Sequence, residues 1–139
     1  MKFGDVIMEK MDYLALKKIL NFHKHYHDYL QKEALDMLKV RLDSAKICDT
    51  SEIPEGTVRL YSNVSVVFGS GKKHRFQLVL EPDDENNGEK VSVRSILGAA
   101  LVGRSVGDTI SIPNREPITI KQVEWMVPKN KISYSVKNG

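Results

Sequence analysis

Cysteine is nearly absent from this 139-residue chain. Cys48 stands alone, so no disulfide can form within the chain and no cysteine-based metal site can assemble without a second molecule. A reducing compartment suits such a sequence, and the expected setting is the cytoplasm. Long apolar runs are also missing. The longest mainly apolar stretch, between Arg94 and Arg104, falls well short of the roughly 20 residues that cross a bilayer, so no membrane span is expected. The first residues carry Asp5, Glu9 and Asp12 where a secretory leader needs an unbroken apolar segment, so export by that route is not expected either. Charge of one sign is not concentrated anywhere. The net charge is +3, but Lys and Arg alternate with Asp and Glu along the chain, which by itself does not argue for nucleic-acid binding.

Glycine and proline are missing from Glu9 to Lys46, a segment rich in Leu, Lys, Glu, Ala and Met, which favour helix. Leu35, Leu38, Leu42 and Ala45 follow one another at helical spacing with Lys32, Asp36, Lys39 and Asp43 turned outward. Leu16, Ile19, Leu20 and His23 make a second stripe. Two stripes predict an antiparallel helical hairpin, with its turn near Asn21 to Asp28, where Asp28 can cap the second helix. The turn-rich, Pro-containing segment 49–56 then marks a change of architecture.

Beyond it, β-branched and aromatic residues alternate with polar ones over Thr57–Tyr61, Asn63–Phe68 and Arg75–Glu81, predicting strands, with a hairpin turn at Gly69 to Lys72. A polar loop from Pro82 to Lys90 leads to a short strand at Val91–Val93. Ser95 is placed to cap a short helix that ends at Gly103, and Gly98, Ala99 and Ala100 are small enough to let it lie close on a sheet. Further strands are expected at Thr109–Ile112 and Ile118–Val127. The composition, with 41% hydrophobic and 28% charged residues, is that of a chain able to bury a core. The fold class is therefore α+β: an N-terminal antiparallel helical hairpin over residues 1–50, a mainly antiparallel β-sheet domain with one short helix over 51–128, and a flexible tail over 129–139.

The run from Lys90 to Asp108, with its strand, short helix around Ala99-Ala100-Leu101-Val102-Gly103 and Val106-Gly107-Asp108 turn, resembles the signature of the C-terminal domain of the Gre transcript-elongation factors. Ile53-Pro54-Glu55-Gly56-Thr57-Val58 and Gln77-Leu78-Val79-Leu80-Glu81-Pro82 resemble the same domain in the same order. The resemblance covers roughly Ile53 to Val127. It implies an FKBP-like fold that docks on RNA polymerase at the rim of the secondary channel. The length, and the run from Leu42 to Cys48 followed by Glu52-Ile53-Pro54, are similar to the short-armed Rnk-like branch.

Within that frame Asp83, Asp84, Arg94, Ser95, Ile96 and Leu97 are the candidate polymerase-binding residues. Ile96 stands where the family tends to have Pro. Ser95 can equally be a plain helix cap, and Ile96 and Leu97 plain core residues. His23, Lys24, His25, His27 and Asp28 form the tip of the arm. A helix from Asp28 to Lys46 extends on the order of 28 Å, short for reaching a buried active centre, and the tip offers Asp28 as its one carboxylate for a hard ion such as magnesium. Transcript cleavage is therefore not expected. His23 and His27 share a helical face, but His25 points elsewhere and no nearby Cys completes a metal set, and Asp83, Asp84, Glu85 and Glu89 lack the ligand spacing of a calcium loop. No metal, cofactor or small-molecule substrate is expected, and nucleic acid is met only through the transcription complex. Two alternatives stay open: a prolyl isomerase, suggested only by the FKBP-like fold, and a nucleic-acid-binding module using Lys72, Lys73, Arg75 and Lys121.

Overall fold

The computed structural model describes residues 6–22, 29–80 and 89–125. The first element of the described residues is strand β1 (Val6–Glu9), followed by helices α1 (Lys10–Phe22) and α2 (Tyr29–Ser44). Glu9 closes the start of α1, its Oε1 accepting from the amides of Met11 and Asp12 at 3.0 and 3.2 Å. This satisfies amides that have no partner inside the helix. The two helices pack together, burying Leu16 and Ile19 from one and Ala34, Leu35, Leu38 and Leu42 from the other.

The apolar stripe of α2 runs on to Ala45, yet the helix stops at Ser44. Ala45–Cys48 instead form strand β2, paired in parallel with β1 from Val6↔Ala45 to Glu9↔Cys48. The sequence reading carried the helix through this segment. Leu42 to Ala45 keep helical spacing, and a four-residue strand leaves too short a trace to break it.

The larger sheet has the order β5-β4-β3-β7-β6. Its strands are β3 (Ser62–Phe68), β4 (Lys73–Val79), β5 (Lys90–Ser92), β6 (Thr109–Ile110) and β7 (Ile118–Trp125). All neighbours are antiparallel except β4 and β5, which are parallel. The segment Thr57–Tyr61 does not form the expected strand and contributes one bridge, Thr57↔Ser105. The cause is a tight turn. Buried Ser62 donates its hydroxyl to the Arg59 carbonyl at 2.6 Å and accepts from the Arg59 amide at 3.0 Å, and Tyr61 sits at a φ of 69°. A side chain that captures the local backbone in this way competes with strand pairing.

Helix α3 (Ile96–Leu101) lies against β5 and α2. Ser95 caps it as expected, accepting from the Gly98 amide at 3.1 Å and donating to the Ser92 carbonyl at 2.7 Å. Gly98 allows the close approach: a β-carbon there would overlap the Ser92 carbonyl. Gly103 ends the helix at a φ of +84°, and a β-carbon on it would lie 2.6 Å from a Val6 methyl. The helix pair and the sheet thus share one apolar core, in which Val6, Leu16, Leu38 and Leu42 join Val58, Val64, Phe76, Leu78, Leu101 and Ile120.

Candidate functional site

The start of α3 stands beside an open groove of about 360 Å³ lined by Phe68, Ile96, Leu97, Ile112, Asn114, Arg115, Glu116 and Ile118. Each wall follows from local structure. The Ser95 cap fixes the first turn of α3, which turns Ile96 and Leu97 toward the groove. Phe68 closes β3, Ile118 opens β7, and Ile112 follows β6, with Ile112 and Ile118 buried as the floor. The rim is polar. Asn114 adopts a φ of 65° in the turn that carries Arg115 and Glu116. Arg115 Nη1 lies 3.9 Å from Glu33 Oε2, tying the rim to α2, and Glu116 Oε1 accepts from the Ser70 amide at 2.7 Å. An apolar floor inside a charged rim is the anatomy of a protein-docking surface.

Four of the sequence-derived candidates therefore fall together. Ile96 and Leu97 are half-buried groove walls, Ser95 is the cap that holds them, and Arg94 sits at the preceding turn with its Nε buried and without a hydrogen-bond acceptor among the described residues. Asp83 and Asp84 lie outside the described residues, as do His23, Lys24, His25, His27 and Asp28. Sequence reasoning missed Phe68, Ile112, Asn114, Arg115, Glu116 and Ile118. Their one local signal is the Pro113-Asn114 pair, which marks a turn but not what the turn faces.

A second cluster joins the two halves of the chain. Arg59, 9% exposed, packs its guanidinium 3.8 Å from the centre of the Trp125 ring. Glu9 Oε1 lies 3.9 Å from its Nη2 and Asp12 Oδ2 4.0 Å from its Nε. The carboxylates are committed elsewhere as well: Glu9 Oε2 accepts from the Thr50 hydroxyl at 3.1 Å, and Asp12 Oδ2 from the Leu60 amide at 3.2 Å. The Trp125 indole N–H donates to the Leu60 carbonyl at 3.1 Å. These contacts fix β1 and α1 against the turn before β3. Among the described residues no group of three or more His, Cys, Asp or Glu is placed to hold a metal ion, and no helix is long and apolar enough to cross a membrane.

Residues 53–124, which contain α3, the groove and the five-stranded sheet but for its last residue, Trp125, match the family described as transcription elongation factor, GreA/GreB, C-term. The chain belongs to the GreA/GreB family. GreA of Chlorobium phaeovibrioides is 31% identical over 102 residues, covering 72% of this chain and 56% of that protein. GreA of Flavobacterium johnsoniae is 32% identical over 93 residues, covering 60% of this chain and 59% of that protein. The chain thus spans little more than half the length of these GreA relatives. Among solved structures, a prokaryotic transcription elongation factor GreA/GreB from Nitrosomonas europaea superposes with a TM-score of 0.71 at 25% identity, covering 87% of this chain and all of that one.

Proposed function

We propose that this protein binds RNA polymerase and regulates transcript elongation, with the groove at the start of α3 as its docking surface at the rim of the secondary channel. The observation that carries this reading is that the family match contains the groove entire, with Ile96 and Leu97 presented by a capped helix start. Apolar residues held at the centre of a polar-rimmed depression are where binding energy concentrates in an interface.

In this reading residues 1–50 are a short arm, 51–128 the FKBP-like docking unit and 129–139 a tail, as in the short-armed Rnk-like branch. Transcript cleavage is not part of the proposed activity. Helices of 13 and 16 residues extend about 20 and about 24 Å, short for an arm that must deliver carboxylates to a buried active centre. Such a factor acts in the cytoplasm, uses no cofactor or small-molecule substrate, and meets nucleic acid only through the transcription complex.

The test pairs capture of core RNA polymerase with a transcript-cleavage assay on a stalled complex. Capture that Leu97→Glu abolishes, without cleavage, is the expected result. Failure of the folded wild-type chain to capture polymerase overturns the reading, and cleavage above background overturns its non-cleaving part.

A further inference from the structure

On the face of the large sheet turned away from the core, an open groove of about 560 Å³ lies over β3, its lining including Ser65, Val67, Lys73, Arg75 and Lys121. Strand register brings these residues together. Alternation sets Ser65 and Val67 opposite in direction to the buried Val64 and Val66, and their partners on β4 are Arg75 and Lys73. On β7 the register shifts between Ser65 and Val66: Ser65 faces Gln122 and Val66 faces Ile120, which leaves Lys121 as the extra residue. Such an irregularity re-aims a side chain, and the consecutive Lys121 and Gln122 are both exposed. The groove thus has Ser65 and Val67 as its floor, Lys73 and Arg75 along one wall and Lys121 on the other.

Charge in the groove is not balanced. Glu124, opposite Asn63 on β3, is already held: its Oε1 accepts from Arg75 Nη2 at 3.1 Å and its Oε2 from Gln122 Nε2 at 3.0 Å. Lys73 and Lys121 are exposed and form no ion pair among the described residues. The Ser65 hydroxyl makes no hydrogen bond among the described residues either. The two lysines lie far apart in the sequence, and only the order β4-β3-β7 sets them on facing walls.

We propose that this groove binds single-stranded RNA along its phosphate backbone, with Lys73 and Lys121 on phosphates and Ser65 on a ribose 2′-hydroxyl. Width, charge and chemistry favour this occupant. The walls stand two strand spacings apart, about 10 Å at the backbone, which admits one extended strand, while a duplex rests on the rims. The free cations are lysines, compact point charges that suit phosphate oxygens, whereas the arginine fork that grips carboxylates is already taken by Glu124. A nucleic-acid strand carries a charge on every residue and gains affinity by releasing counterions. No Phe, Tyr or Trp lines the groove, so bases find no stacking platform and the contact is independent of sequence. The 2′-hydroxyl is the group that separates RNA from DNA, and Ser65 is the one free hydroxyl between the walls. The surface adds a direct RNA contact to a factor that otherwise meets nucleic acid through the transcription complex.

The experiment titrates the 15N-labelled full chain with an oligouridylate of about eight nucleotides at several salt concentrations. Saturable shifts are expected at the amides of Ser65, Val67, Lys73, Arg75 and Lys121, with a dissociation constant of about 100 μM at low salt. Contact with about two or three phosphates makes the logarithm of affinity fall against the logarithm of salt with a slope of about −1.4 to −2.1. Lys73→Glu/Lys121→Glu is expected to weaken binding about tenfold or more, while Lys18→Glu/Lys39→Glu, which changes the charge equally on exposed positions of the two helices, stays within about twofold of wild type. The oligodeoxynucleotide of matching length is expected to bind about threefold more weakly, and Ser65→Ala to remove that difference. No saturable shift at these amides, equal losses in the two double variants, equal affinity of the wild-type chain for RNA and DNA, or tighter binding of a glutamate-rich peptide at the same amides would each overturn the proposal. The titration contains no polymerase, so its failure and a failure of polymerase docking are told apart.

Discussion

The Arg59 guanidinium lies over the face of Trp125, 3.8 Å from the ring centre, and 3.9 Å from the carboxylate of Glu9. One residue thus fastens β1 to β7 of the larger sheet. Replacing Arg59 by Met keeps much of the volume but removes the charge that balances Glu9 and Asp12. Losing one partner of a buried pair costs roughly 3 kcal/mol. The distances here exceed hydrogen-bond length and both carboxylates have other donors, so a loss of about 2 kcal/mol is expected in urea unfolding. The exposed Lys39–Asp43 pair at 3.2 Å supplies the control: Lys39→Ala is expected to cost about 0.5 kcal/mol or less. Equal effects at the two sites would show that the clamp contributes nothing special.

Gly98 is the residue on which the seating of α3 depends. A methyl group there would collide with the Ser92 carbonyl, which is backbone and paired to its surroundings, so α3 must move off β5. Gly98→Ala should destabilise by about 2 kcal/mol or more, despite the better helix propensity of Ala. A stabilised Gly98→Ala variant would contradict the packing described.

Ser95 holds the same helix by its cap. Ser95→Ala removes the acceptor for the Gly98 amide and should cost about 1 kcal/mol. Faster hydrogen exchange at Gly98, with little change in the sheet amides, is the local signature to look for.

How much of this was legible in the sequence depends on the range of the contacts. The short helix was read correctly because its determinants are local: a Ser cap, three small residues and a Gly able to take positive φ. Strands β3, β4 and β7 were found because alternation along each records which side faces the core. The β1–β2 pair was not found, since its parallel partners lie on either side of both helices and each strand has four residues. Thr57–Tyr61 alternates like a strand, but the Ser62 hydroxyl turns the chain at Arg59. Of the docking groove, the helix side was legible and the Phe68, Ile112 and Ile118 side was not. Those residues are ordinary core formers, and only the sheet order brings them to α3.

Arg41 gives a prediction with a definite sign. Its charged form is disfavoured in the folded state, where its pKa falls from the ordinary guanidinium range to about 10 through burial and then the charge of Arg104. Below pH 10 Arg41 is charged in both states and the destabilisation is present in full. Above about 10 the folded chain gives up the proton before the unfolded one does, so this contribution to stability rises with pH. Arg104→Gln removes the like charge, so in low-salt buffer it is expected to be slightly more stable than wild type. That advantage should shrink above pH 10 and with added salt. An advantage that persists unchanged at high pH would show that repulsion of Arg41 is not its source.

The most direct test of the central claim compares the affinity of core RNA polymerase for the wild-type chain, for Ile96→Glu/Leu97→Glu, and for Lys39→Glu on the opposite, solvent-facing side of α2, with circular dichroism confirming that all three are folded. The expected result is a loss of about a hundredfold or more for the groove variant and near wild-type binding for Lys39→Glu. Unchanged binding by a folded Ile96→Glu/Leu97→Glu variant would contradict the assignment of the groove as the docking surface.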